Sequence, residues 1–325
     1  MTPLVSVLVP IYGVAQFIER CAESLMRQTL ADIEYIFVDD CSPDDSVEIL
    51  RLVVDRFPER KENVQILHHP KNLGLECARQ TALARARGQY LIFVDSDDYV
   101  DTRLVESMYS RAILTDADIV VADFYSDYGH NKIVRNNDYV STDVDKWFYD
   151  MLANDHVYGC LWNKIYRRSL FDTHQYPIPH IACCEDWSAN IQLFHRARRI
   201  VKITDAFYYY VCYNAQSITK SNIARKVDDY LEFWHRVDTF LDQWGETDKY
   251  HGTVQWLKLR QKANIMLNTA DVNIRRQYNY LYNDIPRLYS HFLKKGHRMA
   301  LWLADHRMFH TIGLLRWLLL VKQKF

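Results

Sequence analysis

Short apolar runs alternate with amphipathic stretches through the first third of the chain. The run LVSVLVP at 4–10 is rich in β-branched residues, which predicts a strand. Residues 14–28 then place Phe17, Ile18, Cys21 and Leu25 at helical spacing. The same reading predicts strands at 33–40, 64–69 and 90–95 and helices at 45–57 and 75–88. Ser42 or Asp44 is the expected N-cap of the helix at 45–57, and Gly88 the expected stop of the helix at 75–88. Strands that alternate with amphipathic helices build a parallel sheet with helices on both faces, an α/β fold.

Beyond residue 118 the rhythm changes. Strands are expected at 118–125, 132–140, 199–203 and 206–213, and helices at 145–153 and 185–197. From about 222 the pattern is wholly helical, with long segments near 223–244, 250–268, 274–294 and 298–321. No internal repeat or low-complexity linker interrupts the chain. Two regions follow: an α/β domain over 1–221 and a helical C-terminal region over 222–325.

Such sheets bind ligands at the carboxyl ends of their strands. The unusual polar groups all fall there: Pro10-Ile11-Tyr12 after the first strand, Asp39-Asp40 after the second, Asn72-Leu73-Gly74 after the third and Asp95-Ser96-Asp97-Asp98 after the fourth. Carboxylates that close repel one another and resist losing water, so a cation is expected among them. Asp95 and Asp97 are two apart and point the same way on an extended backbone, with Ser96 opposite. Hard divalent ions, Mg²⁺ or Mn²⁺, take such oxygen ligands and keep positions open for phosphate. Asp98 is a further candidate ligand as the chain turns, whereas Asp101 is read as a helix cap. A carboxylate at Asp39-Asp40 suits the imide N–H of a pyrimidine, Tyr12 a stacked base, and Arg79 a phosphate or base edge. His68 and His69 lack ligand spacing and are read as structural, as are Cys183 and Cys184.

Composition changes this picture little. A formal net charge of −1 provides no field that would steer the protein to nucleic acid. The seven cysteines are odd in number and contain no CxxC pair, which suits a reducing interior and a cytoplasmic protein. The amino-terminal segment has no basic region ahead of its apolar run, unlike a signal peptide. No apolar run approaches the roughly 18 residues of a membrane span.

The segments SVLVPIYG, FVDDCSPDDS, NLGLECARQ and GQYLIFVDSDDYVD, in this order and spacing, resemble the nucleotide-binding half of family 2 inverting glycosyltransferases. LWNKIYRRSLF at 161–171, EDWSANIQLF at 185–194 and YYYVCYNAQSITK at 208–220 resemble later landmarks of that family, so the likeness covers about 4–220. The resemblance implies a GT-A (Rossmann-like) fold with a mixed, mostly parallel sheet, and a helical C-terminal region beside it. It implies that Tyr12 and Asp40 hold the base, with Asp39 supporting the loop and Pro10, Asn72, Arg79 and Ser96 lining the nucleotide. Asp95, Asp97 and Asp98 would hold the divalent metal and donor sugar, and Asp186 would be the catalytic base. Glu185, Lys164 and Lys220 are candidates near the diphosphate or acceptor, as is Arg167, although the two lysines and Arg167 read more readily as surface residues. Gly13, Cys41 and the pair Val211-Cys212 depart from the family pattern, the last where a basic residue is usual.

The implied reaction moves a sugar from a nucleotide-sugar, a UDP-sugar by the pyrimidine preference of Asp40, to a hydroxyl of a glycan or lipid-linked acceptor in surface polysaccharide synthesis. One alternative is a catalytically degenerate relative that binds nucleotide-sugar, which an intact Asp186 argues against. A phospho-receiver-like module is another, but its acidic pair follows the first strand, and here the pair follows the second. The stretch TIGLLRWLLLVKQKF at 311–325 carries Arg316, Lys322 and Lys324 on a short apolar helix. Two placements are open to it: packed on the other C-terminal helices, or lying in the membrane interface, peripheral on the inner face.

Overall fold

The computed structural model describes residues 2–141, 150, 158–171, 184–214 and 223–322. It divides into two compact units, Met1–Lys220 and Ser221–Phe325. In the first, β1 (Val5–Ile11) is buried along its whole length. It pairs in parallel with β2 (Ile33–Asp39) on one side and β4 (Tyr90–Phe93) on the other, and β3 (Val64–His68) extends β2. A strand with parallel neighbours and helices on both faces has no wet side, which explains why VSVLVPI shows no polar alternation beyond Ser6. One face carries Val5, Val7, Val9 and Ile11 against α1 (Ile18–Met26), α2 (Ser46–Asp55) and α5 (Leu104–Thr115). Between these lie the short α3 (Pro58–Lys61) and α4 (Leu75–Arg85).

Past α5 the sheet turns mixed. The order is β3-β2-β1-β4-β8-β6-β9-β5, with β7 also on β6. The added strands are β5 (Tyr99–Val100), β6 (Ile119–Asp127), β7 (Ile133–Asn136), β8 (Lys164–Arg167) and β9 (Ile200–Val211). β8 runs antiparallel to both β4 and β6, whereas β6 and β9 are parallel over most of their length. Paired residue by residue, the sheet is mostly parallel, with helices packed on it, as α/β patterning predicts.

Several local expectations are corrected. The predicted strands at 199–203 and 206–213 are one strand, because a bulge opposite Val121–Asp123 absorbs the polar interruption at Thr204-Asp205. β8 has no periodicity of its own and was not predicted. The helix expected at 45–57 begins at Ser46, whose N–H is accepted by Asp44 Oδ1 at 3.2 Å, close to the capping role expected of Asp44, while its Oδ2 accepts the Ala15 N–H at 3.0 Å. Asp101 accepts the Arg103 N–H at 2.9 Å, close to the capping role expected of it. The helix expected at 145–153 lies almost wholly outside the described residues.

Gly88 does not end α4, which closes at Ala86 in an extended conformation. It is needed for close approach: an added Cβ would lie 2.5 Å from the Ser6 nitrogen and 2.8 Å from the Val5 carbonyl carbon. Its N–H donates to Ser6 Oγ at 2.8 Å, and Ser6 in turn donates to the buried Glu34 at 2.6 Å.

The second unit is helical: α7 (Ile223–Trp244), α8 (Thr247–Asn268), α9 (Val272–Gln277), α10 (Lys295–Asp305) and α11 (Phe309–Lys322), with a 3₁₀ turn at Arg287–Phe292. The label α6 belongs to Glu185–Arg196 in the first unit. The single helix expected at 274–294 is broken: α9 stops at Gln277, Tyr282 takes a left-handed conformation, and Pro286, which lacks an N–H, precedes the 3₁₀ turn. The one expected at 298–321 divides where Arg307 takes a left-handed conformation. Buried Arg275 donates to the carbonyls of Met266, Thr269 and Phe309 and so closes α8 against the start of α11.

Gly88→Ala is expected to lower stability by about 2 kcal/mol, because the atoms it strikes are backbone and cannot rotate away. Urea unfolding of the variant checks this, and an unchanged midpoint would contradict the close-approach reading.

Candidate active site

Because β1, β2 and β4 are parallel, their carboxyl ends share one edge, and the loops there gather the polar residues. Tyr12, one residue past β1, is 51% exposed, so it is not a core residue and presents its ring to the edge. Pro10 and Ser96 are buried supports of that edge, and Asn72 is exposed on the loop after β3. Asp39 accepts the Ser42 N–H at 2.9 Å and faces His68 Nδ1 at 3.1 Å. Asp40 is more deeply engaged: Oδ1 faces His69 Nδ1 at 2.7 Å and accepts the Leu73 N–H at 2.8 Å, and Oδ2 accepts the Gly74 N–H at 2.8 Å. The two histidines are thus structural, orienting the acidic pair. Asp40 anchors the 72–74 loop, and its Oδ2, with one donor, retains accepting capacity.

Arg79, buried on α4, organises the centre. Its Nη1 donates to Asp186 Oδ1 at 2.5 Å and lies 3.6 Å from Glu185, and its Nη2 donates to Asp95 Oδ1 at 3.1 Å. Burial works against the guanidinium charge, but Asp186, Asp95 and Glu185 outweigh it and hold Arg79 firmly charged. The remaining Nε–H has no partner among the described residues. Asp186 lies in the first turn of α6, and its second oxygen accepts the Leu161 N–H at 3.2 Å. Both oxygens are therefore aimed, and the side chain remains 18% exposed.

The acidic strand end splits by the two-residue period of an extended chain. Asp95 and Asp97 are half-buried at the edge, whereas Ser96 and Asp98 are buried on the other side. Asp97 accepts from Asn214 Nδ2 at 2.8 Å. Burial, together with Asp186 and Asp97, pushes the Asp95 carboxyl up to about 6 despite Arg79. Asp98 corrects the expectation of a third metal ligand. Its oxygens accept the Tyr208 hydroxyl and the Val211 N–H, each at 2.7 Å, so it ties β9 to the strand end from inside. Burial first, then Asp97 and Asp95, raise its pKa well above the usual range. Burial and the Asp186 charge do the same to Glu185.

Lys164 is also corrected. It is 2% exposed and donates to the carbonyls of Tyr158 and Cys160 and to Asn163, so it supports the turn before β8 and cannot reach a diphosphate. Arg167 pairs with Asp116 and Asp118 at the opposite end of β8. Lys220 and Cys183 lie outside the described residues. Sequence reasoning missed Tyr208, whose hydroxyl joins Asp98 to the Asp95 N–H at 3.0 Å, and Asn214. Their segment stood out as YYYVCYN, but only strand register decides which tyrosine turns inward. Among the described residues, no cluster of three or more His, Cys, Asp or Glu side chains is arranged to hold a metal ion.

The mixed, mostly parallel sheet flanked by helices is the fold of a GT-A glycosyltransferase. The chain belongs to glycosyl transferase family 2, whose model matches residues 6–175, and the activity of that family is glycosyl transfer. The chain is 32% identical to the uncharacterized glycosyltransferase EpsJ of Bacillus subtilis over 71% of its own length and 67% of that protein's. It is 29% identical to the poly(ribitol-phosphate) beta-glucosyltransferase of Bacillus spizizenii over 64% of its own length and 32% of that protein's. Its fold is similar to that of Staphylococcus aureus TarS solved with UDP, at 18% identity and a TM-score of 0.69, covering 96% of this chain and 90% of that one. The phospho-receiver alternative is thereby excluded.

Asp95 also yields a stability prediction. Its folded pKa, about 6, is above the unfolded value of 3.8, so the stability it contributes is complete at low pH and is lost as pH rises through 6. The ligand-free protein is expected to lose on the order of 1–3 kcal/mol from this group between about pH 4 and pH 7. Urea unfolding across that range should show a flatter dependence in Asp95→Asn. An equally steep one would place the titration elsewhere.

Proposed function

We propose that the protein is a metal-dependent inverting glycosyltransferase that uses a UDP-sugar. The acceptor is a hydroxyl of a glycan or lipid-linked saccharide, in surface polysaccharide synthesis in the cytoplasm. The observation that carries this is the bridge from Asp95 through Arg79 to Asp186, which brings a strand-end carboxylate and a helix-start carboxylate from separate segments of the unit to one place. Kinship with a poly(ribitol-phosphate) beta-glucosyltransferase and a fold shared with TarS, solved with UDP and with UDP-GlcNAc, support the donor and acceptor classes. Free thiols at the six described cysteines suit a reducing compartment.

The residues present fit a hard divalent ion. Asp95 and Asp97 supply oxygen donors on one side of the strand end, and Asp95 is raised by burial and then by Asp186 and Asp97 despite Arg79, so a cation there would relieve it. A bound Mg²⁺ or Mn²⁺ would supply charge stabilisation for a departing diphosphate. Asp95 and Asp97 would hold it, and Glu185 borders the same charge cluster. The unpartnered Arg79 Nε–H faces a need for an anionic or carbonyl oxygen, which a nucleotide meets. Tyr12 would stack on the base, and Asp40 Oδ2 would take the imide proton's hydrogen bond while its loop stays anchored.

Asp186 takes the acceptor hydroxyl's proton as the oxygen attacks the anomeric carbon. Its position is set by Arg79 and the Leu161 N–H, so the free lone pair keeps one direction. Attack on the face opposite the leaving diphosphate inverts the anomeric centre, through an oxocarbenium-like transition state.

Two measurements test this. UDP with Mn²⁺ is expected to raise the melting temperature of the protein, and Asp95→Asn/Asp97→Asn to abolish the rise. Asp186→Asn is expected to keep that rise but lose about 10²–10⁴-fold in sugar transfer. A rise that survives without the two aspartates would overturn the metal assignment. Undiminished turnover in Asp186→Asn would remove it as the base, and no turnover in the unaltered protein with any donor would favour the degenerate reading.

A further inference from the structure

We infer that the second unit carries a docking surface for an anionic lipid bilayer, formed by the outer faces of α10, α11 and the 3₁₀ turn before them. The inference stands on the surface of this unit alone and does not depend on the donor site.

α11 is apolar on both sides. Its inner side places Ile312, Leu315 and Leu319 against Met266, Ala300 and Leu303. Its outer side leaves Leu314, Trp317 and Leu318 exposed at 57%, 58% and 49%. These three lie at i, i+3 and i+4, so they form one stripe. A helix that is apolar all round is buried either in protein or in lipid, and here the inner side alone is covered. α10 repeats the arrangement, with Ala300, Leu303 and Ala304 inward and Met299 and Trp302 exposed. Phe292 is exposed at the end of the 3₁₀ turn. Chance scatter gives single exposed apolar residues, whereas successive elements each baring large ones mark an interaction face.

Charge decides the occupant. Residues 287–321 hold six Lys or Arg and one acidic residue, Asp305. That aspartate is paired with Arg287 at 2.7 Å, and the segment keeps a net basic balance, with Lys295, Arg298, Arg307 and Arg316 beside the apolar stripes. A second copy docking by this face would oppose the same basic surplus to itself, which is repulsive. An anionic headgroup layer complements the charge, accepts tryptophan at its interface and dissolves the leucines just beneath. No helix among the described residues is long and apolar enough to cross a membrane, so the contact is with the surface.

The test is flotation of the full-length protein with phosphatidylcholine vesicles, with and without phosphatidylglycerol. Binding at least tenfold tighter to the phosphatidylglycerol vesicles, and weakened by salt, is expected. Leu314→Ser/Trp317→Ser and Lys295→Glu/Arg298→Glu should each weaken it at least tenfold while the UDP-induced melting shift stays unchanged, since neither pair touches the donor residues. Binding indifferent to lipid charge, or unchanged in both variants, would overturn the proposal. So would an unaltered protein that is dimeric and becomes monomeric in Leu314→Ser/Trp317→Ser, because a second copy would then be the occupant. If the UDP shift is absent but flotation behaves as stated, the donor reading fails and the docking surface stands.

Discussion

A guanidinium removed from water loses several kcal/mol of hydration unless carboxylates surround it. Arg79 is buried and has three within 3.6 Å, drawn from the end of β4 and the start of α6. Those carboxylates in turn would repel one another and withdraw into solvent without it. The two halves of the site therefore depend on one side chain, placed by the second turn of α4. The packing beneath follows the same requirement. Ala78 and Ala82 let α4 lie close on the sheet, so that Arg79 reaches across the strand ends.

The balance at this edge is left incomplete. Burial first, and neighbouring carboxylates after it, raise the carboxyls of Asp95, Asp98 and Glu185, and beside Asp95 and Glu185 the single guanidinium of Arg79 does not offset this. Binding sites commonly carry such instability, because groups arranged for a ligand are poorly arranged without it. Asp98 shows the structural answer to the same problem. Turned inward, it is satisfied by Tyr208 and Val211 and fastens β9 to the strand end, so the acidic stretch divides into two half-buried carboxylates at the edge and one structural one.

The second unit solves its polar problem differently. Arg275 is buried with carbonyl oxygens rather than carboxylates, taking the unpaired groups at the end of α8. This frees α10 and α11 to pack through small and aliphatic residues while baring apolar residues outward.

The order of strands and helices through residue 100, and the gathering of Asp40, Asp95 and Asp97 at the carboxyl edge of the sheet, were legible in the chain. Period-two and period-3.6 patterns are local, and parallel strands necessarily end together. β8, the union of the two halves of β9 and the breaks at Pro286 and Arg307 were less legible, because partner strands and turns override weak local preference. The roles of Lys164, Gly88 and Asp98 were decided only by tertiary structure. Each depends on what lies across the fold: a ring of carbonyls for Lys164, the backbone of β1 for Gly88, and the inward side of a strand end for Asp98. Residue type and spacing state which chemistry is available. Only the packing of distant segments determines whether a charge meets solvent, a ligand or another part of the chain, since that energy is set by surroundings within a few ångströms.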